Sequence, residues 1–292
     1  MPATPSRRFF QGRRKCLATS IAALVTGAAL WLPDSSSAAP SLPTAYWTGN
    51  QDAVWSTNNT SNTNWATSAT GTPDTGFPPN SSTDVFFSAT GALHQSTTLG
   101  QDFTINSLTI NDPTAVVIGS GTGGPYTLTL NATNPITVNS GAGSLTISAN
   151  VDLEGAGSTI TVGNTAGALI SGIISGSNGL TKAGSGTLTL TAANTFTGGA
   201  VVNAGTLQLG DGIAVASLRG NIFGPVVVVN NGAAFAVMAN ATITASNGSI
   251  GASGPTGMSG AAGTVGLAVV NFINGGTLTN QGTLTGGFRV SF

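Results

Sequence analysis

Two short segments nineteen residues apart, TLTL (Thr187 to Leu190) and TLQL (Thr206 to Leu209), constrain this chain more than any other feature. Each alternates polar and apolar residues, the period at which a strand sends one set of side chains inward and the other to water. Leu188 and Leu190 recur as Leu207 and Leu209, and Gly186 recurs as Gly205. One turn of a β-helix takes a similar number of residues, so these leucines are expected to stack in a continuous inner column. The alternation returns in FTINSLTI (Phe103 to Ile110), YTLTL (Tyr126 to Leu130), SLTI (Ser144 to Ile147) and STITV (Ser158 to Val162), with turn-forming Gly, Asn and Ser between. The spacing is uneven: Leu145 to Ile160 is fifteen residues and Ile160 to Leu188 is twenty-eight. Short strands at such intervals also suit an antiparallel sandwich. The return of like residues at a coil-length interval favours the solenoid, so the expected fold class is all-β, a parallel β-helix with a β-rich N-terminal cap.

Composition narrows the alternatives. The chain has 42 glycines and only 6 % charged residues, against about a quarter in ordinary soluble domains. Its 40 % hydrophobic content is more than a disordered chain carries, and no stretch after the N-terminus is apolar for the ~20 residues a membrane helix needs. Five of the eight basic residues, Arg7, Arg8, Arg13, Arg14 and Lys15, precede an apolar run from Cys16 to Leu32 and a small-residue stretch. That order predicts a signal peptide over 1–38, cut after Ala38, rather than a retained anchor. Within it, SRRFF (Ser6 to Phe10) resembles a twin-arginine export signal, and the general export route stays open beside it. Cleavage leaves Lys182, Arg219 and Arg289 against eight acids, a net charge of −5, which gives nucleic acid no basic surface to bind. The single cysteine, Cys16, lies before the apolar run and leaves with the signal, so no disulfide is expected.

Residues 39–125 read differently from 126–292. Trp47, Trp55 and Trp65 fall in AYWTGNQDAVWSTNNTSNTNW, followed by a proline-rich loop and DVFFS (Asp84 to Ser88). A solenoid end exposes unpaired edges and an open core, so a tryptophan-containing cap is expected here. Aromatic platforms for sugar rings are the alternative use of these tryptophans.

The segment NGLTKAGSGTLTLTAANTFTGGAVVNAGTLQLG (Asn178 to Gly210) closely resembles the passenger-associated transport repeat, also called the autotransporter-associated β-strand repeat. The match lies in GLTKAGSGTLTL, the NTFTGG turn (Asn194 to Gly199) and the closing GTLQLG. The WTG…W…NW opening with a later DVFF also resembles the start of many proteins that bear this repeat. The resemblance implies a right-handed parallel β-helix in a bacterial surface or secreted protein, with the repeat assisting passage or folding of the passenger. It brings no catalytic residues.

No other pattern carries chemistry. GxGxxG at Gly119 to Gly124 is followed by a strand rather than the helix N-terminus that phosphate cradling requires. His94 is the only histidine, so a histidine metal cluster is excluded, and no cofactor, metal or catalytic residue is expected. Asp152 and Glu154, two apart on one strand, form the one carboxylate pair a glycosidase could use, and two solvated acids at a coil edge account for them as well. The expected function is an exported structural stalk of the autotransporter-passenger type, in surface presentation or adhesion and not an enzyme. Its expected location is extracellular or at the cell surface or outer membrane, with the periplasm as the alternative. Its expected partners are the export machinery and an unidentified surface or extracellular glycan. Glycan binding is the alternative function, and a β-helix polysaccharide lyase or hydrolase the third. VVVVNNGAAFAVM (Val226 to Met238) and GGTLTNQGTLTGG (Gly275 to Gly287) read as further coils rather than membrane strands, although Phe292 resembles the closing residue of an outer-membrane barrel.

Overall fold

A computed structural model describes residues 42–59, 62–155 and 158–219, together with the segments 227–229, 233–238, 241–244, 270–272, 277–280 and 283–284. The expected signal over 1–38 lies outside the described residues. Among these residues every regular element is a strand, and nearly every pairing is parallel.

Successive coils lay one strand on each of three sheets. Ser107–Ile110 joins the first sheet, Val116–Gly119 the second and Thr127–Leu130 the third, and the next coil repeats the order with Ile136–Val138, Leu145–Ile147 and Asn150–Leu153. Among the described residues the first sheet has ten strands and the second eight, while the third is divided into ladders of four and three. This is a parallel β-solenoid, and the sandwich alternative is set aside.

The expected leucine column is present. Leu188 pairs in register with Leu207, and Leu190 with Leu209, all fully buried. The column extends through Leu145, Ala168, Leu188 and Leu207 to Phe235, and beside it through Ile147, Ile170, Leu190 and Leu209 to Val237. The uneven spacing has a simple origin, because Ile160 stands on the first sheet between Ile136 and Lys182, whereas Leu145 and Leu188 stand on the second. Measured along one sheet, the interval shortens smoothly from Leu145 to Ala168 to Leu188 to Leu207, being twenty-three, twenty and then nineteen residues.

FTINSLTI, expected as one strand, is two. Phe103–Ile105 belongs to the third sheet and Ser107–Ile110 to the first, with the chain turning at Asn106. Two consecutive polar residues, Asn106 and Ser107, shift the alternation by one place, so Phe103, Ile105, Leu108 and Ile110 all still point inward. The turn is held by Asn106 Nδ2 and Ser107 Oγ donating to Asp84 Oδ1 at 2.7 and 2.6 Å.

Glycine is required where the coils press together at Gly186 and Gly205. A Cβ on Gly186 would lie 2.2 Å from the carbonyl oxygen of Asn164, and one on Gly205 2.4 Å from that of Gly186. Gly205 also has φ of +64°, which L side chains rarely adopt. Val227–Val229 pairs with Ala200–Val202, and Ala234–Val237 with Thr206–Leu209, so the described parts of VVVVNNGAAFAVM continue the ladders. Thr277–Asn280, from the other C-terminal segment, pairs in turn with Ala234–Val237.

At the opposite end, parallel pairing reaches back to Thr44–Trp47 against Asp84–Phe87. There Trp65–Ala66 adds an antiparallel strand to the first sheet, and Asn58–Asn59 forms a hairpin with Asn62–Thr63.

Candidate functional site

Three places hold side chains that the fold positions with care. The first is the aromatic cluster. Trp47, Trp55 and Trp65 are each 0 % exposed. Trp65 meets both of the others edge-on with ring centroids 5.0 Å apart, and Phe87 stacks on Trp47 while Phe103 meets Trp55 edge-on. Each indole N–H has an acceptor: Leu93 O, Thr97 Oγ1 and Trp55 O respectively, all at 3.0 Å. These tryptophans cannot serve as platforms for sugar rings, because no ring face reaches solvent; that use of them is corrected. Over the cluster, Asp52 Oδ1 accepts from Val54 N at 2.8 Å and Asn64 Nδ2 at 2.7 Å, and Thr57 Oγ1 donates to the same carboxylate. Burial pushes the Asp52 carboxyl up, but these hydrogen bonds, with the charge of His94, hold it below the usual range. His94 itself sits in the left-handed region at φ 52° and pairs through Nδ1 with Gly49 O at 2.8 Å.

The second place is the repeat coil. Leu180–Ala183 continues the inward alternation, so Lys182 occupies the inner column between Ile160 and Val202 and is 0 % exposed. Its ammonium donates to the carbonyl oxygens of Ala183 and Gly184 at 2.8 Å and of Ala204 at 3.0 Å. Burial pushes its pKa down to about 8, so it remains largely protonated at neutral pH. Read from sequence, Lys182 was counted among the three remaining basic residues and given no place in the fold; the alternation of Leu180 and Lys182 was the signal that sets it inside. One coil edge away, Asn194 is also buried and stands where the third sheet is interrupted. Its Oδ1 accepts from Ile174 N at 3.0 Å on the preceding coil, and its Nδ2 donates to Ser217 O at 3.3 Å on the next. The side chain thus spans a gap that elsewhere a strand fills.

The third is a groove of about 480 Å³ at the corner between the first and second sheets, bordered by the loops after Asp84–Phe87 and Ser107–Ile110.

The carboxylates weighed as a catalytic pair are placed apart in character. Asp152 lies within Asn150–Leu153, with Oδ1 buried and without a hydrogen-bond partner, and Glu154 is exposed one residue past the strand. Gly121 and Gly123, in the GxGxxG string, both have positive φ in a turn after Val116–Gly119. Among the described residues no group of three or more His, Cys, Asp and Glu side chains could hold a metal ion, and no helix is long and apolar enough to cross a membrane.

Fold and repeat coil together define a β-solenoid protein with a specialised coil at its middle. Residues 180–209 match the family model of the passenger-associated transport repeat. The chain is 29 % identical over 187 residues, 61 % of its length, to the adhesin BmaC autotransporter of Brucella suis biovar 1 (strain 1330), and spans about 4 % of that protein's length. No solved structure matches it. In repeat and sequence, the chain is similar to autotransporter-associated repeat proteins of the passenger type.

Proposed function

We propose that this chain is an exported, non-catalytic stalk of the autotransporter-passenger type that presents a binding surface outside the cell. The observation that carries the reading is the continuity of the repeat coil with the ladders on either side: it is one layer of a longer stack, not a separate module. The similarity to an adhesin autotransporter supports the surface location and an adhesive role. In this reading residues 1–38 direct export and are removed, 39–125 close one end of the stack, and 126–292 form the stalk, with export machinery as the obligate partner. Lyase or hydrolase chemistry has little support, since Lys182 is turned into the core and Asp152 and Glu154 are not held as a matched pair.

The test is expression of the full chain in bacteria, followed by export analysis and protease shaving of intact cells. Loss of residues 1–38 on export and removal of the chain by external protease are expected. Retention in the cytoplasm would overturn the reading. So would reproducible cleavage of pectins, glucans or chitin that a single Asp152 or Glu154 change abolishes.

A further inference from the structure

The corner groove is lined by Ser88, Thr90, Gln95, Asn111, Asp112 and Thr114, among others, and its volume falls in the range of small-ligand sites. Asp112 is only 9 % exposed and is fixed in place. Its Oδ1 accepts from Thr114 N at 2.8 Å and Thr114 Oγ1 at 2.6 Å, and its Oδ2 from Gln95 Nε2 at 2.9 Å. Only the nitrogen end of the Gln95 amide is tied; Oε1 is buried without a hydrogen-bond partner. Gln95 lines the groove, so a hydroxyl brought there meets its amide beside the Asp112 carboxylate.

Beside the groove, the first sheet carries an aromatic platform on its outer side. Tyr46 and Phe86 point away from the core and stack with centroids 5.1 Å apart and planes 20° from parallel. Ser88 follows Phe86 by two residues, ~7 Å along the chain at ordinary strand rise. From Phe86 an outward row continues in register through Thr109, Thr137 and Thr161, one hydroxyl per coil at ~4.8 Å spacing. Asn111 follows Thr109 by two residues at the groove edge and accepts a hydrogen bond from Asn139 Nδ2.

We infer that the groove and platform form one binding site for a neutral saccharide, an inference that rests on the surface-adhesin reading above. Tyr46 and Phe86 cover one face of each other, and the face of either ring turned from its partner matches the apolar face of a pyranose. The amides, hydroxyls and the Asp112 carboxylate match its hydroxyl edge, which both donates and accepts. The groove lining contains no Lys, Arg or His, so it offers nothing to pair with a uronate, sialate or phosphate, and Asp112 repels them.

The test is isothermal titration of the full chain with cellohexaose, mannohexaose and hexa-N-acetylchitohexaose, with hexagalacturonate as the acidic counterpart. At least one neutral oligosaccharide is expected to bind and the acidic one not. Phe86→Thr and Gln95→Leu should each weaken binding about tenfold or more, the scale of one lost buried contact, in chains whose far-UV circular dichroism shows the parent fold. Thr189→Ala on the second sheet should leave binding as it is. No binding of any neutral hexasaccharide at millimolar concentration, binding of hexagalacturonate alone, or binding untouched by both groove variants overturns the site. Protease shaving is read separately: a surface-exposed chain that binds no saccharide sinks the site alone. A chain that binds but stays in the cytoplasm sinks the surface reading alone.

Discussion

Around Trp47, Trp55 and Trp65 the interior is filled by large rings whose only polar atoms point to waiting acceptors. Across residues 180–209 it is filled by stacked Leu and Val columns, with one lysine and one asparagine set among them. The difference follows from what lies above and below each layer. A coil within the stack is pressed between two neighbours ~4.8 Å away, so each side chain packs directly against the ones above and below it. At the N-terminal end the regular stacking gives way to an antiparallel strand and a hairpin, and bulk is needed to fill the space. Yet both regions solve the same backbone problem in one way, with a buried polar side chain at a corner. Asn64 donates to Val54 O in the first, while Lys182 and Asn194 serve the corners of the second. Buried Asn164, between them in sequence, donates likewise to Gly143 O at 2.7 Å.

This contrast can be broken most forcefully in the repeat coil. Leu190→Asp puts an unpaired charge between Ile170 and Leu209 and should cost about 5 kcal/mol in a urea melt. Thr189→Asp, on the outer side of the same strand, should stay within about 0.5 kcal/mol of the parent. Equal effects at the two positions would remove the basis of the alternation. Next in size, Trp65→Ala removes a ring that touches two others and should cost about 3–4 kcal/mol. In a quasi-one-dimensional stack this loss should be felt chiefly in the N-terminal layers. Hydrogen exchange that accelerates equally at Leu207 and at Trp47 would instead make the two regions one cooperative unit.

The smallest effect sharpens the role of Lys182. Lys182→Met strips three carbonyls of their donor and should cost about 2 kcal/mol at neutral pH. Burial holds the folded-state pKa near 8, below the value of 10.5 in an unfolded chain, so the folded protein binds this proton more weakly. Stability is therefore at its lower level below pH 8 and rises as pH climbs toward 10.5. Melting temperatures taken at neutral pH and between those two values should show the rise in the parent and not in Lys182→Met. A parallel rise in both would assign it to other groups.

The stacking of Leu188 on Leu207 was legible because a side-chain period of two and a coil period of nineteen occur together in TLTL and TLQL. Farther away the same logic misled, since Leu145 and Ile160 look like neighbours in one series when they belong to different sheets. Spacing along the chain does not record which corner intervenes. The corner at Asn106 was written in the sequence as two polar residues in succession, a phase slip easily passed over inside FTINSLTI. Lys182 was not placed for a different reason: a charged residue in an inward slot is expensive unless acceptors converge on it, and those acceptors come from Ala183, Gly184 and Ala204 on two coils. The groove was not legible at all, because Gln95 and Asp112 are brought together only when one coil closes on the next.

The in-register match of Thr187–Leu190 with Thr206–Leu209 has a consequence for how such a molecule changes length. On the second sheet nineteen residues carry the chain once around and return Thr187–Leu190 to the equivalent position one layer up. A tandem copy of that segment, inserted at the same register, would lengthen the rod by ~4.8 Å while leaving the sheets above and below with the partners they had before. The length of the stack is then adjustable in whole layers, by duplication or deletion of genetic material in units of fifty-seven nucleotides, without redesign of either end.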